Sequence, residues 1–149
     1  MYTLILALHN IFRWVVVLFF ILALVRAYRG WLGKRDWAEV DRRAGVFLTA
    51  GMDTQLLLGL LLYLFLSPIV KAAFANFSAV MGDPSLRFFT LEHFFYMFLG
   101  VFLAHLGSTF SKNASEPATK HKRAALWYTL AALAILLGMP WMRPLFPGL

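Results

Sequence analysis

The sequence predicts an all-α integral membrane protein, an antiparallel bundle of four transmembrane helices with both termini outside. Its residues are 61% hydrophobic, with a mean hydropathy of +0.72, well above the roughly half-apolar usage of soluble domains. Apolar stretches recur at 4–25, 44–66, 88–106 and 124–139, each near the ~20 residues that a bilayer core about 30 Å thick requires. Basic residues gather in alternate connections, the mark of a threaded membrane chain.

The first stretch, Leu4 to Val25, is too long and lacks the basic start and small-residue cleavage site of a signal peptide, so it is expected to stay as a helix. The connection after it carries Arg26, Arg29, Lys34, Arg35, Arg42 and Arg43. The second helix, Ala44 to Leu66, leads into an outer loop over 67–87. There Phe74, Phe77, Val80 and Met81 recur at helical spacing before the breaker Gly82-Asp83-Pro84. A short interfacial helix is expected in that loop. The third helix, Phe88 to Leu106, is followed by the polar linker "KNASEPATKHKR" with Lys112, Lys120, Lys122 and Arg123; His121, set between two lysines, reads as solvated. The fourth helix runs from Ala124 to Met139. The remaining face offers only Lys71, Arg87 and Arg143, so the positive-inside rule places both termini and the 67–87 loop outside. Trp31, Trp37, Trp127, Trp141, Tyr28 and Tyr63 fall near helix ends, at headgroup level. Short connections and the absence of a repeat favour one compact membrane domain over 1–149.

Several function classes drop out. The chain has no cysteine, which excludes disulfides, thiolate metal sites and thioether-linked haem. The net charge of +7 sits at helix ends rather than along one soluble face, so nucleic acid is not an expected partner. No phosphate loop, nucleophile elbow or metalloprotease motif occurs.

The chemistry must lie in the ionisable residues within the apolar stretches, His9, Arg13, Asp53, Glu92, His93 and His105, since each is costly in a bilayer. His9 and His93 each lie about five residues into a helix that enters from outside, which sets them at one depth at ~1.5 Å per residue. Two imidazoles at one level on different helices suit the axial ligation of a haem b in a bundle core. Gly59 and Gly100 would leave room for the macrocycle, and Arg87, Lys71 and Arg143 could meet its propionates. The competing reading is that His9 and His93 bond Asn10, Glu92 or Gln55 and so glue helices together, or serve proton or quinone chemistry. His93 and His105 are twelve apart, about 120° out of phase, so at most one haem is expected and His105 reads as interfacial. Arg13 shares the face of His9, and Asp53 reaches a similar depth, so an intramembrane ion pair is expected, with a propionate or quinone role for Arg13 and a proton-relay role for Asp53 as alternatives. Glu92 points about 100° away from His93, toward Arg13, a quinone pocket or the headgroups.

The segments "LHNIFRW", "RAYRGWLGKRDW", "QLLLGLLLY", "RFFTLEHFFYM" and "KHKRAALWYTLAALAILLGMPW" stand in an order that resembles a family of small four-helix bacterial inner-membrane proteins labelled "cytochrome b". The resemblance covers essentially the whole chain and implies roles for His9, Arg13, Glu92 and His93. Members of that family often have a histidine on the second helix where this chain has Asp53 or a neighbour of it. These readings lead to a mono-haem b electron carrier, linked to quinone, rather than a stand-alone enzyme. Membrane lipids, a respiratory or redox partner subunit and further copies of the chain are its expected partners. The alternative is a haem-free accessory or scaffold subunit binding quinone or lipid. A solute carrier fits less well, because neither broken helices nor repeats are evident.

Overall fold

A computed structural model describes residues 1–141, and among them helices are the only regular elements. Helix α1 spans Tyr2–Leu32 and α2 Glu39–Leu61, which ends in a π-helical turn at Leu62–Leu66. Three short helices follow, α3 (Pro68–Ala75), α4 (Phe77–Gly82) and α5 (Pro84–Arg87). A second π-helical turn, Phe88–Glu92, opens α6 (His93–Lys112), and α7 covers Pro117–Gly138.

Three helical stretches, Tyr2–Leu32, Glu39–Leu66 and Pro84–Lys112, are long and apolar enough to cross a bilayer, with mean hydropathies of 2.2, 1.5 and 1.4. Their length and composition suit a membrane protein. The fourth expected span falls short of that measure, because the first turns of α7 hold Lys120, His121, Lys122 and Arg123. Several helices outrun their expected ends. α1 continues past Val25 to Leu32, and α6 past Leu106 to Lys112, because a long basic or polar side chain can stay in a helix while its head reaches water.

The four long helices pack in a ring. α1 lies against α2 and α7, and α6 lies against the same two, so α1 and α6 face each other across the diagonal. Neighbours run antiparallel: Gln55, late in α2, donates to the carbonyl of His9, early in α1, at 2.9 Å, while Arg26 meets Asp41 at the opposite end.

The ring is tight at one end and open at the other. Near the basic connections small residues line the contacts: Ala23, Ala27 and Gly30 on α1, Ala44 and Gly45 on α2, Ala104 and Gly107 on α6, Ala124 and Ala125 on α7. Small side chains let helix backbones approach, as membrane helices require when no hydrophobic force drives them together. Tyr128 fills the remaining space, its ring against Gly107 and its hydroxyl against Gly45. Leu18, Ile21, Leu22 and Val25 of α1 are exposed, as a lipid-facing surface would be.

The open end is capped by α3, α4 and α5 rather than by one interfacial helix. Pro68 and Pro84 occupy first-turn positions, where a missing N–H costs nothing. Ser67 caps Val70, and Asp83 caps Ser85 and Leu86. Val70, Ala73 and Val80 are buried beneath this cap, while Phe74, Phe77 and Met81 remain exposed.

Candidate functional site

Beneath the cap lies a cavity of about 400 Å³, walled by α1, α2, α6, α7 and the start of α3. Its volume falls in the ~300–1,000 Å³ range of small-molecule and cofactor pockets. The wall is mostly apolar, with Phe20, Leu56, Phe89, Met97, Val101 and Ile135 among its residues, and its polar groups are few: Tyr2, His9, Asn10, Arg13, Gln55, Tyr63, Ser67 and His93.

His9 and His93 approach from the diagonal helices, with ring centres 6.3 Å apart and ring planes inclined by 70°. Each ring is held differently. His93 donates Nδ1–H to the carbonyl of Gly138 at 2.6 Å, at the end of α7 where the helix leaves that carbonyl without a helical partner. This bond fixes the tautomer and leaves Nε2 with its lone pair. His9 lies beside Gly59, where a Cβ would come to 3.3 Å from Cε1. The Nδ1 of His9 is buried and makes no hydrogen bond among the described residues, and neither does the buried Oε1 of Gln55 beside it.

The fit to a haem can be tested on this geometry. The two imidazoles stand 6.3 Å apart between ring centres, both in the wall of the cavity. The residues fit the group by their chemistry: two imidazoles in the wall of one mostly apolar cavity, one of them with Nδ1–H already tied to a carbonyl. Among the described residues no set of three or more His, Cys, Asp or Glu side chains could hold a bare metal ion.

Two π-helical turns build the rim. Each leaves the regular ladder irregular, a feature that recurs at functional sites. Tyr63, in the first, donates to the carbonyl of Thr90, in the second, at 2.7 Å, and so ties α2 to the start of α6 just above His93. Arg87 and Glu92 pair across the second turn at 2.7 Å.

Of the residues singled out from sequence, His9, Arg13, Gly59 and His93 line the cavity together. The others are placed elsewhere. Gly100 faces α7, as its spacing from His93 requires, but a Cβ there would sit 2.6 Å from Cδ1 of Ile135; its small size serves helix packing rather than cofactor space. Glu92 bonds Arg87 rather than Arg13, and both side chains stay about 40% exposed at the rim. Asp53 bonds His105, at 2.8 Å between α2 and α6, in place of the expected pairing with Arg13. His105 and Asp53 are both about half exposed, and α6 runs two further turns beyond His105. Arg13 lines the cavity and sits 5.6 Å over the ring of Trp14. Lys71 is exposed on α3, and Arg143 lies outside the described residues.

His121 is the clearest reversal. Expected in solvent, it is 1% exposed: its ring lies on Gly30 of α1 and under Trp37, 4.8 Å between ring centres. The only signal for this in the sequence is a glycine in the last turn of a helix that otherwise avoids it.

No protein-family model, no curated protein and no solved structure matches the chain. Comparison therefore assigns no role to any residue, and the candidate site stands on its geometry.

Proposed function

We propose that the chain is a mono-haem b electron-transfer protein of the bacterial inner membrane, in which His9 and His93 would hold the haem iron. The observation that carries this reading is the pair of imidazoles from diagonal helices, 6.3 Å apart between ring centres, in the wall of the cavity that all four long helices line. In this reading all four helices cross the bilayer, with both termini and the capped end outside. The apolar part of α7, Ala124 to Gly138, is about 15 residues and about 22 Å long. Lys120, Lys122 and Arg123 complete its crossing by extending to the headgroups.

Bound there, the haem would supply a one-electron iron couple. The chain's own residues do the rest. The carbonyl of Gly138 holds His93 through Nδ1, which leaves the Nε2 lone pair free to bind a metal. Gln55 fixes α1 at His9, and Gly59 allows the His9 ring to lie close to α2. Arg13, one turn further in, offers a cation to a propionate or a quinone oxygen. Phe89, Met97 and Ile135 keep water away from the imidazoles. Electrons would pass between the quinone pool and a partner outside.

A reduced-minus-oxidised visible spectrum of protein purified in detergent, after expression with ample haem, tests this. Sharp α and Soret bands of low-spin haem b are expected, lost in His9→Ala and in His93→Ala with helicity unchanged. A colourless folded protein, or bands retained in both variants, refutes the assignment.

One observation favours a second reading, a haem-free accessory subunit that binds a quinone. The orphan Nδ1 of His9 and Oε1 of Gln55 offer a donor and an acceptor side by side in the cavity. A colourless protein that binds a short-chain quinone, and loses it on Gln55→Leu, would establish that reading instead.

A further inference from the structure

The basic end of the bundle holds a second cavity, about 60 Å³, remote from the imidazole pair. Arg26, Arg29 and Gly30 of α1, Arg35 and Asp36 of the following turn, Asp41 of α2 and His121 of α7 form its wall. The turn that gathers them is specific. After Leu32 the chain reverses through Gly33 and Lys34, and Lys34 takes the left-handed conformation, φ 49°. The N–H of Arg35 then bonds the carbonyl of Gly30 at 3.0 Å, which brings Arg35 back over the last turn of α1, close to Arg29.

Charge in this pocket is unevenly satisfied. Asp41, 5% exposed, accepts from Arg26 at 2.6 Å and from the N–H of Ala38 at 2.9 Å, so Asp41 and Arg26 neutralise each other. Arg29 and Arg35 make no ion pair among the described residues, and neither does Asp36. Three arginines against two aspartates leave one net positive charge with His121 neutral. His121 is 1% exposed; its Nε2 meets the carbonyl of Asp36 at 3.3 Å, and its buried Nδ1 makes no hydrogen bond among the described residues. Arg29, Arg35 and Asp36 are exposed, so the uncompensated positive charge is open to an anion from solvent or from the headgroup layer. The space suits a small oxyanion, since a single water needs only about 10–15 Å³ of such volume.

We propose that this pocket binds a phosphate group bearing a single negative charge, gripped by the guanidinium groups of Arg29 and Arg35. Guanidinium forks match phosphate oxygens in pairs, and the net charge of the pocket balances a phosphodiester. Trp31 and Trp37 flank the turn, with Lys122 at 6.0 Å from the Trp31 ring. Aromatic and basic groups of this kind belong at headgroup level, where pockets between helices recognise anionic lipid headgroups. A free phosphate ion carries the same chemistry.

The test uses the full chain, delipidated in detergent, with phosphatidylglycerol, phosphatidylcholine or inorganic phosphate added, read by native mass spectrometry and thermal unfolding. Phosphatidylglycerol should give one retained adduct and a raised unfolding temperature, with phosphatidylcholine at least tenfold weaker. Arg29→Gln with Arg35→Gln should weaken the adduct at least tenfold. Arg42→Gln with Arg43→Gln, which disturbs only the pairs to Glu39 outside the pocket, should not. Should the first pair fail to fold, Arg35→Gln alone, in the turn, gives the same reading. Protection by inorganic phosphate as well would identify a soluble anion site; protection by the lipid alone would identify a headgroup site. Protection by neither, or equal loss in the Arg42 and Arg43 control, overturns the proposal.

Discussion

Gly30→Ala should destabilise the protein even though alanine is the better helix former. A Cβ at Gly30 would lie closer than 3.0 Å to Cε1, Nδ1 and Nε2 of His121. A flexible side chain could retreat, but this ring cannot: Trp37 covers it at 4.8 Å, its Nε2 is bonded to Asp36, and it is 1% exposed. Overpacking of that kind costs about 1–3 kcal/mol, and losing the tilted ring contact with Trp37 adds about 0.5–1.5 kcal/mol. The gain in helix propensity offsets about 1 kcal/mol. A net loss of about 1–3 kcal/mol is therefore expected. Titration with a denaturing detergent, followed by Trp fluorescence and circular dichroism, measures it. The decisive comparison is a double-mutant cycle. His121→Ala removes the ring that the new methyl group strikes, so adding Gly30→Ala to His121→Ala should cost nothing, with a coupling of about 2 kcal/mol. Gly30→Ala as stable as the parent, or equally harmful with and without His121, would refute the packing argument.

Further outcomes follow from the same geometry. Lys34 holds φ 49° in the turn after α1, a conformation that costs a non-glycine residue about 1 kcal/mol, so Lys34→Gly should raise stability by about 0.5–1 kcal/mol in the same titration. Tyr63→Phe removes the donor to the Thr90 carbonyl in the second π-helical turn; a loss of about 1 kcal/mol is expected, along with faster amide hydrogen exchange at the start of α6. Gly59→Leu would place a branched side chain where a Cβ already comes to 3.3 Å from His9, so it should abolish ligand binding in the large cavity while helicity, checked by circular dichroism, is kept.

The helices were legible because hydropathy acts over whole segments, and the helical content and three membrane-length stretches follow from it. The depth of His9 and His93 was legible for the same reason, since a constant rise per residue converts sequence position into level. Their approach to 6.3 Å was not, because it depends on the rotation of two diagonal helices. His121 was misread because linker composition says nothing about a single side chain that a neighbouring glycine admits. The loop over 67–87 showed its breaker residues, yet its division into three short helices depends on the separate caps at Ser67 and Asp83.

Asp53 shows where depth arguments stop and what replaces them. Its level matched that of Arg13, yet its bond is to His105. The face of α2 turned to α1 is marked by residues four apart: Gly51 against Phe19, Gln55 bonded to the His9 carbonyl, and Gly59 against the His9 ring. A residue two positions from Gly51 lies about 200° round the helix, which turns Asp53 away from α1 and toward α6. The stripe of Gly51, Gln55 and Gly59 is visible in the sequence, since small and amide residues at spacing four mark a close helix contact in a membrane. The rotation of α2 was therefore encoded in its own sequence, whereas that of α1 relative to α6 was not. The same stripe explains why the large cavity belongs to His9 and His93: it brings α2 close enough to hold His9, and it leaves Asp53 and His105 to bond on the far side of α2.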